Sequence, residues 1–319
     1  MKALMYHYIR EYNPEIPNLH FLEKDDFLKQ LDFLDKKYGF ITIEDFINSI
    51  KTSKNTKSGV VLTFDDGLVD HYEYVLPELV KRGLWGIFYI PGSILETKRI
   101  LTVHKIQLLL AKFKSDQILD KLSSILTPSM IDPDLEEEHR SKIYLDQENH
   151  DRKLDIKALF NYTIKHKYKD QIADQLFSHF FTNEDDLFES TYLSVSQLKE
   201  LSDSGMLIGS HAMNHHPMIN LSNQLQEREI RQSFRLIEDC IGELEHKTFC
   251  YPQGLPHTFN HYSELLLERN KTLFSFAVES RDITKEDLLH NVQKLPRYDC
   301  NEFKHGISFL NKSMPYSKG

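Results

Sequence analysis

Two kinds of apolar spacing divide the chain. In residues 1–92 and 193–300, short apolar runs alternate with stretches whose apolar residues recur three and four apart. The short runs read as buried strands at 3–8, 40–43, 60–64, 86–90, 206–209, 248–251, 273–278 and 292–295. The longer stretches read as amphipathic helices at about 26–36, 44–51, 73–82, 196–203, 224–244 and 260–269. Alternation of this kind predicts a parallel sheet with crossover helices, doubly wound or closed into a barrel. In a barrel, the chemistry belongs at the C-terminal ends of the strands.

Between these two regions the texture changes. Residues 93–204 contain none of the 12 glycines. An α/β domain with many tight connections does not usually go so far without one. Residues 106–113, 118–126 and 154–160 repeat apolar positions at helical spacing. Residues 93–192 are therefore expected to form a helical insertion, placed to act as a lid, with 1–92 and 193–319 as the catalytic barrel. Residues 131–152, acidic around Glu136–Glu138, read as a solvated loop or helix edge within it.

Composition narrows the function classes. With 39 basic and 48 acidic residues in 319, the formal charge of −9 argues against a nucleic-acid partner. A hydrophobic share of 40% and a charged share of 27% belong to a soluble globular chain. Cys240, Cys250 and Cys300 have no metal-knuckle or disulfide spacing. The first ten residues lack a secretory apolar stretch, and no run approaches transmembrane length, so a cytoplasmic location is the expectation.

Three strand ends carry candidate chemistry. Asp65-Asp66-Gly67 follows the run 60–64; two consecutive carboxylates leaving a strand point in different directions, so one can bind a cation while its neighbour moves a proton. The alternative is a plain Asp-Gly turn. His211 and His215 follow the run 206–209, and histidines four apart can present two imidazoles to one point. Ala212 stands where an H-E-x-x-H metalloprotease needs its glutamate. Pro252-Gln253-Gly254 follows the run 248–251, a turn able to fix a backbone amide. One Asp and two His make a facial set with open positions, the form a catalytic metal needs.

Together these motifs resemble the NodB-type polysaccharide deacetylases, carbohydrate esterase family 4. Thr63-Phe-Asp-Asp-Gly67 is similar to the family's first motif, His211-Ala-Met-Asn-His215 to its second and Phe249-Cys-Tyr-Pro-Gln-Gly254 to its third. Met5-Tyr-His7 is similar to the first strand, and Leu295-Pro-Arg-Tyr-Asp299 to the region of the fourth motif. The resemblance implies a distorted (β/α)7-type barrel and a divalent transition metal, usually Zn2+. It implies that Asp66, His211 and His215 hold the metal and that Asp65 is the general base. Tyr251 would offer its backbone amide to the oxyanion, and Arg297 would orient Asp65. The implied reaction is hydrolysis of the N-acetyl group of a sugar, a sugar nucleotide or an oligosaccharide, releasing acetate, in envelope glycan synthesis.

The chain departs from that pattern in its general acid. In place of the family's Leu-x-Leu-His the chain has Asp287-Leu-Leu-His290, with Asp where the first Leu belongs, and it stands before Arg297 instead of after it. His7 is the leading candidate for the acid, with His290 and His305 behind it. The arginine usual before the third motif is replaced by Glu245-His246-Lys247. The contrasting reading is a catalytically silent barrel that binds glycans.

Overall fold

The computed structural model describes residues 1–54, 57–132 and 152–313, so the acidic stretch at 136–138 lies outside the described residues. By contacts the chain divides into two compact units: Met1–Glu11 with His20–Arg99 and Asp185–Gly319, and Tyr12–Leu19 with Ile100–Glu184.

The strands are β1 (Lys2–Tyr6), β2 (Ile9–Arg10), β3 (Leu22–Glu23), β4 (Val60–Phe64), β5 (Ile87–Ile90), β6 (Leu207–Ser210), β7 (Thr248–Cys250), β8 (Phe274–Phe276) and β9 (Tyr298–Asp299). In the first unit seven of them form one all-parallel sheet in the order β8-β7-β6-β5-β4-β1-β9, and β2 pairs with β3 apart from it. Strands β4, β5 and β7 are buried along their whole length, as befits a sheet covered on both faces. Helices Lys24–Tyr38, Leu76–Arg82, Val195–Asp203, Asn223–Ile241 and His261–Arg269 lie in the connections. This is the distorted (β/α)7 barrel expected from the motifs.

The segment 295–299 draws the two edges of the sheet together. Leu295 bridges to Phe276 of β8, with Ala277 N donating to Leu295 O at 2.9 Å and Leu295 N to Ser275 O at 2.8 Å. Three residues on, Tyr298 and Asp299 pair with Leu4 and Met5 of β1. Arg297 therefore sits in the seam of the barrel.

Two expected strands are corrected. Residues 40–43 contribute one bridge, Phe40 to Val60, because Thr42 accepts Asp45 N and caps the helix Ile43–Thr52. Residues 292–294 form a 3-10 turn, and the strand comes later, at Tyr298–Asp299.

The second unit is helical, with Thr102–Lys112, Ser115–Ile125, Arg152–Ala158 and His166–Phe180. Its compact part, Ile100–Glu184, is shorter than the 93–192 expected and includes Tyr12–Leu19, which the apolar spacing leaves with the barrel. Leu109, Ile118, Leu122, Ile172, Leu176 and Phe177 are buried in it, and Lys105, 1% exposed, is neutralised by Asp174 and Glu184. Residues 191–193 belong to the first unit. There Val69 N donates to Thr191 O and Leu193 N to Gly67 O, both at 2.9 Å, holding the exit from β4.

Candidate active site

The β1–β4 ladder runs one residue past β4, with Asp65 N donating to Tyr6 O at 2.9 Å. Asp66 then takes φ 78 and Gly67 φ 63. Left-handed backbone is tolerated by Asp and natural for Gly, and it throws consecutive side chains apart. Asp65 turns toward the barrel seam. Asp66 turns toward the loop after β6.

Asp65 meets Arg297 in a buried bidentate pair, Nη1 to Oδ1 at 2.9 Å and Nη2 to Oδ2 at 2.8 Å. The guanidinium also donates to Thr63 Oγ1 at 2.8 Å and lies over the Tyr89 and Phe276 rings, 5.8 and 5.6 Å from their centroids. Burial pushes the Asp65 carboxyl up, but Arg297, His211 and His7 outweigh it and hold it at about 2. Burial opposes the Arg297 charge as well, and Asp65 restores it, leaving it above its ordinary value.

Asp66 meets the imidazoles of His211 and His215, with Oδ1 3.4 and 3.2 Å from their Nε2 atoms. Both histidines lie in the loop after β6. His211 Nδ1 is 2.7 Å from Cys250 O. A carbonyl only accepts, so Nδ1 carries a hydrogen, and Nε2 is the ring nitrogen turned toward Asp66. One carboxylate and two imidazoles within 4.8 Å of one another suit a divalent transition metal. A second cluster, Asp65 with His211 and Cys250, fits worse. Both Asp65 oxygens already accept from Arg297, and burial keeps Cys250 a thiol, against the pull of Arg297 and His211.

His7 follows β1 with its side chain 41% exposed, and its Nε2 is 4.0 Å from Asp66 Oδ2. Behind it, buried His71 donates from Nε2 to His7 O at 3.0 Å; an acceptor carbonyl again fixes the donor. Burial lowers the His71 imidazolium pKa to about 4. Asp70 accepts from Ile9 N at 3.1 Å and pairs with Arg10, tying down the chain just beyond His7. His71 opens the π-turn His71–Val75, as its position at a helix start suggests, and it is also a buried support.

Tyr251 follows β7 directly. Its amide donates to Phe276 O at 3.2 Å, continuing the β7–β8 ladder, and its hydroxyl donates to Gln293 O at 2.9 Å. Both of its donors therefore have partners within the fold. His290 pairs with Glu286 on the solvent side of the helix Lys285–His290, and His305 lies in a turn whose Lys304 carbonyl accepts from Gln30. The structure thus gathers Asp65, Asp66, His211, His215, His7 and Arg297 at the C-terminal strand ends. It adds Thr63, Cys250, Asp70, His71 and Glu229, whose contacts cross between elements and leave no spacing to read.

The parallel barrel thus carries a carboxylate–dihistidine donor set beside a buried Asp–Arg pair. The sequence model of the polysaccharide deacetylase family matches residues 152–272, which take in the second and third motifs. In fold, the chain is similar to Streptococcus pyogenes deacetylase PplD in complex with acetate, at 16% identity and a TM-score of 0.56 over 94% of this chain and 91% of that one. It is similar to a de-N-acetylase from Aggregatibacter actinomycetemcomitans, at 14% identity and 0.53 over 93% of each. It is also similar to the BpsB deacetylase domain from Bordetella bronchiseptica, at 12% identity and 0.52 over 93% and 94%. No curated protein matches the chain. The resemblance to polysaccharide deacetylases, carried by three motifs, is borne out by the family match and the fold. Among the described residues, no helix is long and apolar enough to cross a membrane.

Proposed function

We propose that the chain removes the N-acetyl group from a sugar by metal-dependent hydrolysis. The observation that carries this reading is the division of labour between adjacent carboxylates. Asp65 is held ionised by Arg297, while Asp66 faces His211 and His215. Asp66, His211 and His215 would hold a divalent ion such as Zn2+. When bound, that ion acidifies water and polarises a carbonyl.

The protein's own groups account for the proton traffic. Asp65 accepts a proton from the attacking water as the water oxygen joins the acetyl carbon. A carboxylate held at about 2 is a weak base, suited to a proton already made acidic. His7, half-exposed and beside Asp66, supplies a proton to the amine nitrogen as the C–N bond breaks. Acetate and a free amino sugar leave.

The substrates proposed are N-acetylated sugar nucleotides, lipid-linked sugars or short oligosaccharides of envelope glycan synthesis. The test is acetate release from a panel of these compounds, with and without chelator. Acetate that disappears on chelation and returns with Zn2+ supports the proposal. New reducing ends without acetate, or release indifferent to chelator, would overturn it.

A further inference from the structure

The loop 211–215 is held in place by a neighbouring helix. Ala212 has φ 61 and His215 φ 58 without being glycine, so this backbone is not one the sequence adopts freely. Glu229, on the helix Asn223–Ile241 and 7% exposed, reaches into the loop. Its Oε2 accepts from Met213 N at 2.8 Å and Asn214 N at 2.9 Å, and its Oε1 accepts from Asn214 Nδ2 at 2.7 Å. One turn on, Ser233 Oγ lies 2.6 Å from Ser210 Oγ, which accepts from Ala212 N at 3.2 Å. From the other side, Gly92 N donates to Ala212 O at 2.8 Å and Ser93 N to Met213 O at 3.0 Å.

We infer that Glu229 is a positioning residue for the metal donors: by taking the two amides midway between His211 and His215, it sets the separation of their imidazoles. The inference rests on the proposed metal-dependent reaction. Charge-assisted bonds to two adjacent amides are about twice as strong as neutral ones. Groups that orient metal ligands typically change metal affinity by about 10- to 100-fold when lost. The carboxylate does this without touching the donors.

The experiment compares the whole chain with Glu229→Gln and Glu229→Ala by two readouts. One is Zn2+ affinity from competition with a chelator. The other is hydrogen exchange of the Met213 and Asn214 amides in metal-free protein. Gln can keep a carbonyl on the two amides if Asn214 turns its own amide around, so affinity should fall in the order Glu, Gln, Ala. The Ala variant is expected to lose about 10- to 100-fold in affinity and the protection of both amides. Wild-type affinity and protection in the Ala variant would overturn the inference. If that variant fails to fold, Gln decides: affinity and exchange equal to wild type overturn it. A wild-type chain that binds no metal, with both amides protected only when Glu229 is present, would overturn the proposed function and leave the clamp standing.

Discussion

Arg297 and Asp65, 232 residues apart, meet in a buried bidentate pair across the seam of the barrel. Arg297 belongs to the segment that joins β8 to β1, and Asp65 extends β4, so one ion pair both spans the seam of the barrel and holds the Asp65 carboxyl ionised. Arg297→Gln leaves the carboxylate buried without its cation, a change that typically costs about 3–5 kcal/mol. Burial then pushes the Asp65 pKa up unopposed by Arg297. The variant should unfold at lower urea, and the acid limb of its kcat/KM profile should move to higher pH. An acid limb unchanged from wild type would show that Asp65 is not the base.

Asp65→Asn separates proton transfer from metal binding. Loss of a general base typically lowers turnover by about 10²- to 10⁴-fold. Zn2+ affinity should stay within a few-fold of wild type, because Asp66, His211 and His215 are intact. Isothermal titration with Zn2+ beside an acetate assay reads both. Parallel loss of metal would place Asp65 among the ligands.

Metal should stabilise the fold through the same three residues. Zn2+ at one hundred times its Kd is expected to add about 2.7 kcal/mol and so raise Tm. Asp66→Ala or His215→Ala should abolish the rise in thermal melts with and without chelator. His290→Ala, which alters a solvent-facing histidine, should keep it. Equal Zn2+-induced shifts in all four proteins would put the ion elsewhere.

How much of this was legible before the structure depends on the range of the interaction concerned. Strand Val60–Phe64 falls where its apolar run ends, and the helix Val195–Asp203 starts one residue before the expected 196, after its Ser194 cap. These are local signals. The run 40–43 looks like a strand until Thr42 is seen to cap a helix, and the strand sought at 292–295 moves to 298–299 because pairing with β1 selects the register. Asp65, Asp66, His211 and His215 were readable as residue types at strand ends, whereas Arg297 emerged only by family resemblance. For Tyr251 the motif does not show that its amide continues a ladder. Glu229 sits among the charges of a helix that reads as amphipathic, and its burial follows from a loop folding back onto it. Contacts between elements far apart in the chain carry no period.

His71 makes the last prediction. Its pKa falls from 6.5 to about 4 by burial among Phe64 and Phe88, so the unfolded chain binds its proton more readily than the fold does. A depressed imidazole contributes stability that is complete above pH 6.5 and is lost as pH falls from 6.5 through about 4. The difference corresponds to about 3 kcal/mol at the acid end. Asp65 acts lower, from 3.8 down to about 2, and His211, whose pKa is raised, changes stability only above 6.5, so the windows do not overlap. Urea denaturation of chelated protein at half-unit steps between pH 7 and 4 should show the decline. His71→Phe should flatten it, while the lost bond to His7 O costs about 1 kcal/mol at every pH. Because that bond also fixes the backbone of His7, kcat for acetate release should fall more than KM rises. A variant with the wild-type pH slope would show that His71 is not the buried neutral group.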